Sequence, residues 1–272
     1  DVVGWAVDRL DRLPRGPRVG FDVAPPGERD LSAEIEALRR SLTPAEVDRY
    51  RSLGSATAEV FTQALSGVEK AMSERQVAAA LGAGLLEIGA DPIVLLVAGA
   101  ARVGRFRHPL PTAAPVGDLA MVVACARRGG LIAALTRYVS FGGLLPSMAD
   151  AYERLLAVER VFLAGTTPGA AVGAVWRDGS AAYASHGFPA DESDRHHQGG
   201  PIGYFARDYI ANATSTATVA AAQAFAWNPS VPSLKVEDTV LTGEAGIEVL
   251  TVDPDWPSVR VGDISRPSVL SR

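Results

Sequence analysis

Apolar residues recur with helical spacing after Thr43-Pro44-Ala45-Glu46, through Tyr50, Leu53, Ala56, Val60, Phe61 and Leu65. That period places one face of a helix against a core, and the four leading residues form a capping box with proline at the first helical position. Ser73-Glu74-Arg75-Gln76 repeats the signature and opens a second helix to about Ile88, which Gly89 stops. Short apolar runs then predict strands near Pro92 to Ala98 and Asp118 to Ala124, and a Gly129-Gly130 turn returns the chain through Leu131 to Tyr138 as a hairpin. Helical patterns follow over Ser147 to Phe162 and Pro168 to about Ala184. Strand-like pieces close the pattern at Gly200 to Tyr204, Ala222 to Asn228, Lys235 to Thr242 and Gly246 to Thr251. Two helices then strands, twice over, define an α+β chain.

The first 42 residues read differently. Val2 to Leu13 suits one amphipathic helix, Arg18 to Val23 a short strand, and Ala24-Pro25-Pro26-Gly27 a turn. Residues 1–42 are therefore expected to be the remnant of an N-terminal domain, too short for a core of their own, and residues 43–272 the main domain.

A chain of 272 residues, 47% hydrophobic and carrying a net charge of −5, has the balance of a globular protein without a nucleic-acid surface. Its apolar runs are too short to span a bilayer. Cys125 is the sole cysteine, which rules out an internal disulfide and points to the cytoplasm. Lys70 and Lys235 are the only lysines among many arginines, a bias that indicates a GC-rich bacterial genome.

Gly117 to Arg137, reading GDLAMVVACARRGGLIAALTR, resembles the segment that carries two metal-binding aspartates in the M24 (creatinase/aminopeptidase P/prolidase) family. Gly117, Asp118, Leu119, Gly130, Thr136 and Arg137 fall in register with that family's pattern, and the aspartate positions hold Val123 and Ala134. His196-His197-Gln198-Gly199-Gly200-Pro201-Ile202-Gly203 is similar to the family's histidine motif, with Gly200 on the ligand position. Ala226-Trp227-Asn228-Pro229 puts Asn228 where the first glutamate stands, and Lys235-Val236-Glu237-Asp238 through Thr242 retains the second as Glu237. The resemblance spans roughly Leu42 to Thr251. It implies the pita-bread fold: an internally duplicated α+β domain whose curved antiparallel sheet has helices outside. One ligand of five survives, so no metal and no other cofactor is expected, because valine, alanine and glycine side chains donate nothing to a cation.

Creatinase, a relative in that family, works without a metal through a histidine on the loop before the first aspartate-bearing strand. His108, in Arg105-Phe106-Arg107-His108-Pro109, matches it. The resemblance assigns catalysis to His108 as general acid/base, with Glu237 as its carboxylate partner and His196 beside them. Substrate binding falls to Arg207, as a bidentate clamp for a carboxylate, with Tyr204, His197, Asn228 and Trp227. Of the adjacent His196 and His197, one is expected to point inward, and His196 is favoured. Arg137 is read as a brace for the hairpin, and Cys125 as a small buried hydrophobe.

The function expected is a metal-independent enzyme acting on a C–N bond of a small amino-acid-like or peptide-like molecule, by hydrolysis or by elimination or cyclisation. The alternatives are an M24 pseudoenzyme that serves as a binding module, and an ordinary Xaa-Pro aminopeptidase-like metallopeptidase. The family resemblance also implies a homodimer.

Overall fold

The computed structural model describes residues 19–24 and 27–272. The helix expected over Val2 to Leu13, and part of the strand and turn that follow it, lie outside the described residues. The chain divides into two compact units, residues 1–40 and 41–272. In the first, Phe21 forms a single bridge to Asp30 rather than a strand, and α1 runs Ser32–Arg40 behind an Asp30 side chain that accepts from Ser32 N at 2.8 Å.

The second unit opens on α2 (Pro44–Ser66) and α3 (Glu74–Glu87), and both capping boxes form as read. Thr43 Oγ1 accepts from Glu46 N at 3.4 Å while the Glu46 carboxylate accepts from Thr43 N at 2.7 Å. Thr43→Ala is expected to cost about 1 kcal/mol, read as a lower urea midpoint with unchanged denaturant slope. Then come β1 (Asp91–Gly99), β2 (Leu119–Arg128), β3 (Leu131–Ser140), α4 (Pro146–Gly165) and α5 (Val172–Ser185). Gly129 and Gly130 have φ of 56° and 85°, the two positive values that a tight two-residue hairpin turn demands.

Eight of the ten β2 residues and all of β3 are buried, which explains their near-continuous apolar sequence. Alternation along β2 divides its side chains between two cores. Ala120, Val122, Ala124 and Ala126 join Tyr50, Leu53, Phe61 and Leu81 from α2 and α3. Leu119, Met121 and Val123 join Leu155, Phe162 and Val175 from α4 and α5.

The second half supplies β4 (Gly199–Ile202), β5 (Ala224–Trp227), β6 (Ser230–Val231), β7 (Leu234–Lys235), β8 (Val240–Gly243) and β9 (Gly246–Val249). One antiparallel sheet is ordered β1-β2-β3, extended by a parallel β12 (Leu270–Ser271), and a second is ordered β4-β5-β8-β9. A hairpin of β10 (Ser258–Val261) and β11 (Ile264–Pro267) lies near the C-terminal end.

The strand expected over Lys235 to Thr242 is interrupted. Residues 236–239 leave their own sheet and bond to β3: Thr136 N donates to Glu237 O at 3.0 Å, and Ala134 N to Thr239 Oγ1 at 2.7 Å. Ile132 N donates to Gly203 O at 2.9 Å along the same edge. This seam between β3 and the second half carries the candidate site.

Candidate functional site

The loop 100–118 between β1 and β2 presents His108, pinned on both sides. Pro109 O accepts from Val97 N at 3.2 Å. Arg107 forms an ion pair with the buried Glu192 and donates to Ser230 Oγ at 2.7 Å. Glu192 belongs to a 3-10 turn, Glu192–Arg195, that leads directly into His196, so the Arg107–Glu192 pair ties the two histidine-bearing segments together. His196 Nε2 lies 3.1 Å from His108 Nε2 across 88 residues of sequence.

His196 and His197 both belong to this cluster, contrary to the expectation of one inward and one outward ring. Their rings stack at 4.4 Å, and His197 stacks on His108 at 5.4 Å. The reason is local: the pair lies between the 3-10 turn and β4, so no sheet pleat imposes alternation. Gln198 fixes the shape instead. Its buried amide donates to His196 O at 2.5 Å and Ser193 O at 2.9 Å, while Tyr183 Oη donates to its Oε1 at 2.8 Å.

Burial pushes His196 down to about 2 and His197 to about 4, with Lys235 the next cause for His196 and Arg207 for His197. His108, though exposed, is lowered as well, first by desolvation and then by Lys235. All three imidazoles are therefore neutral at pH 7.

Beneath the histidines, the buried carboxylate of Glu237 accepts from Arg207 Nη2 at 2.6 Å and from Thr136 Oγ1 at 3.2 Å. The hydrogen-bond partners of Glu237 are thus Arg207 and Thr136 rather than His108. Arg207 is half-buried and held internally by Glu237 and Ala206 O, so its fork is not the open clamp expected. Lys235, on β7, is only 3% exposed; its backbone N–H donates to Tyr138 Oη at 2.8 Å, and among the described residues no carboxylate stands within ion-pair distance of its amine. Burial lowers this amine from its ordinary value. Sequence reasoning passed over Lys235 and Gln198, although a lysine in so arginine-rich a chain was a usable signal.

Two residues assigned to substrate binding lie elsewhere. Tyr204 donates to Glu46 at 2.5 Å and accepts from Arg49 at 3.3 Å, bracing α2. Its ring also sits where a Cβ at Gly130 would fall. Trp227 is core: its ring stacks on Phe225 and lies tilted against Phe162, and its Nε1 donates to Thr166 Oγ1 at 2.8 Å. Asn228 is buried, with its N–H on Gln198 O and its Oδ1 without a partner. Arg137 braces the sheet through Asp238 and Thr251 O, both at 2.8 Å. Cys125 is buried and its thiol is raised to about 12 by desolvation, so it is no nucleophile at neutral pH.

The M24 metal centre does not fit these residues. Val123 pairs with Thr136 and Ala134 with Cys125, all buried and none bearing a carboxylate. Gly200 has φ 149°, and a Cβ there would stand 2.9 Å from Tyr209 O, so a histidine has no room at that position. His108, His196 and His197 are the group among the described residues whose ligating atoms converge, all within 4.8 Å of one another. Their surroundings oppose a cation, since Lys235 acts on His196 as a positive charge and the nearby carboxylates are already paired, Glu237 with Arg207 and Glu192 with Arg107.

A model of the metallopeptidase family M24 matches residues 48–263, most of the chain, and the protein belongs to that family. No curated protein matches it in sequence. Among solved structures, the X-Pro aminopeptidase from Thermotoga maritima superposes with a TM-score of 0.76 at 17% identity, over 90% of this chain and 69% of that one. Dipeptidase PepE from Mycobacterium ulcerans gives 0.76 at 19% identity, over 90% of this chain and 64% of that one. The N-terminal domain of the FACT complex subunit SPT16 from chickpea gives 0.71 at 14%, over 82% and 61%. The chain thus spans about two thirds of the length of these relatives. At such identities the likeness shows the fold, which is the pita-bread fold.

Proposed function

We propose that this chain is an M24-fold hydrolase that cleaves a C–N bond of a small amino-acid-like or peptide-like substrate by side-chain acid/base chemistry, without a metal. Family membership supports a peptidase-like hydrolase. The observation that carries the finer reading is the 3.1 Å His108–His196 contact beside Glu237–Arg207, where the family's ligand positions hold valine, alanine and glycine.

In this reading His108, the exposed member, exchanges protons with substrate and attacking water. His196, kept neutral by burial, accepts the N–H of His108 and stabilises the imidazolium that forms. His108 then returns the proton to the leaving nitrogen. Glu237, fixed by Arg207 and Thr136, offsets in part the lowering of His108 by desolvation and Lys235. His197, stacked on both rings, and Asn228 line the same site. The reading includes a homodimeric, cytoplasmic bacterial protein; among the described residues no helix is long and apolar enough to cross a membrane.

The test is turnover of a panel of Xaa-Pro and other dipeptides and of small amides by chelator-treated protein. Activity is expected to survive chelation, and His108→Ala to lower kcat by about 10²–10⁴-fold. Full activity in His108→Ala would remove the assignment, and a protein with no turnover would be a binding module on this fold.

A further inference from the structure

A cavity of about 840 Å³ opens at the end of the β2–β3 pairing that lies away from the hairpin turn. Small-molecule sites fall in the range of roughly 300–1,000 Å³. Its lining is largely apolar, with Val103, Leu119 and Leu234 buried and Phe141, Leu144 and Met148 half-buried. No member of the histidine cluster lines it, nor do Glu237 and Arg207. Leu119 pairs with Ser140, four residues along the strands from the Val123–Thr136 pair, roughly 13 Å by strand rise. Tyr138 stands between. Its Oη accepts from Lys235 N at 2.8 Å and donates to Ser233 O at 3.3 Å, which closes the passage between cavity and histidines.

The polar groups at this cavity lack partners. Ser140 is 1% exposed, and its pairing with Leu119 sends both side chains to the same face of the sheet, the one that borders the cavity. Its hydroxyl makes no hydrogen bond among the described residues. Ser233 ends the two-residue turn between β6 and β7 with φ 70°, where glycine is the usual occupant, and its hydroxyl is equally unpartnered among the described residues. Helix α4 starts at the same rim. Pro146 occupies its first position and no side chain caps it, so the Ser147 N–H is left open. The charged groups in the lining, Lys70 and Asp118, are exposed and pair with each other at 2.7 Å. The cavity therefore offers apolar surface and hydrogen bonds, but no free charge.

We infer that this cavity is a binding site for a neutral, largely apolar molecule with one oxygen-bearing end, such as an alcohol, ester or amide. Its hydrocarbon part covers Val103, Leu119, Phe141 and Leu234, and its oxygen takes the hydrogen bonds that Ser140, Ser233 and the start of α4 leave open. An ion is selected against, because the walls would strip its water and no unpaired charge replaces it. The site is independent of the proposed function, since none of the acid/base groups at the histidines takes part in it.

The probe is N-phenyl-1-naphthylamine, a neutral dye that brightens in apolar surroundings, titrated into the full chain at pH 7. One dye per chain is expected, displaced by 1-octanol and by octanoate only at concentrations about tenfold higher or more. Leu145→Asp is the deciding variant. Leu145 is 73% exposed at the α4 N-cap, so an aspartate there accepts the Ser147 N–H and keeps the fold, yet brings a carboxylate to the cavity. Dye affinity is expected to fall about tenfold or more while the melting temperature holds or rises. Leu86→Asp, exposed on α3 and outside the cavity, is expected to bind as wild type, and so is His108→Ala. Ser140→Ala is expected to raise the octanol concentration needed by about threefold and to leave displacement by toluene unchanged. Absence of dye binding, wild-type affinity in Leu145→Asp, or octanoate displacing as well as octanol overturns the inference. Loss of binding in His108→Ala does so too, because it would put the dye at the histidines.

Discussion

Arg266→Met is expected to destabilise the protein by about 3–5 kcal/mol, the usual loss when one partner of a buried ion pair is removed. Arg266 is 1% exposed and forks onto Glu159, with Nε to Oε2 at 2.7 Å, while its Nη2 lies 2.9 Å from Asp238 Oδ2. Asp238 also accepts from Arg137 at 2.8 Å and from Thr251 Oγ1 at 2.5 Å. Removing Arg266 leaves Glu159 without its only ion-pair partner among the described residues and strips Asp238 of one of two. The effect should reach the site, because Asp238 follows Glu237 in the segment that crosses to β3. Thermal and urea unfolding measure it, with a fall in melting temperature of roughly 10 °C for a domain of this size. A change under about 1 kcal/mol would show that the network adds little beyond packing.

Acidification is expected to have an effect of similar size. His196 and His197 are held at about 2 and about 4 in the folded chain, each well below the unfolded value near 6.5. The unfolded chain therefore binds more protons below pH 6.5, and stability falls as pH falls from there towards 4. Each histidine contributes roughly 2 kcal/mol of loss by pH 5, together about 3–4 kcal/mol because the two stacked rings do not charge independently. The charged groups that bear on the rings are Lys235, Arg207 and Arg107, which oppose protonation, and Glu237, which favours it only for His108 and His197. Unfolding free energy measured between pH 7 and 5 should show the decline, and His197→Gln should flatten it by about half. A flat profile would mean the rings are solvated in the folded protein.

The parts of the fold legible in the sequence were those fixed by local chemistry. Thr43 with Glu46 and Ser73 with Gln76 announce helix starts because each box satisfies its own orphan backbone groups within four residues. Gly129-Gly130 announces the hairpin because few other residues accept two positive φ angles. Residues 236–239 were read as continuous strand because their apolar-polar pattern says nothing of which edge they bond to; that edge is β3, about a hundred residues away in sequence. β10 is short and largely exposed, and β11 buries only Arg266 and Pro267, so no apolar alternation marked the hairpin.

The site divides along the same line. His108 and His196 were found only through the resemblance, since nothing local to either residue predicts a contact across 88 positions. Tyr204 and Trp227 were misplaced because a residue's rank in a motif does not say which face of the backbone its side chain leaves from. Trp227 is paired with Gly199 in β4–β5 and leaves that sheet towards Phe162. Lys235 and Gln198 were missed because the first is a cation in a pattern searched for carboxylates, and the second acts on the backbone of its neighbours rather than on a ligand.

A site that works without a metal is the central proposal. Elemental analysis of purified protein, dialysed against excess zinc, manganese and cobalt and then against metal-free buffer, tests that most directly. Near-zero metal per chain is the result expected from Val123, Ala134, Gly200 and the cationic Lys235. One or two tightly held ions per chain would contradict it and return the protein to the ordinary metallopeptidases of its family.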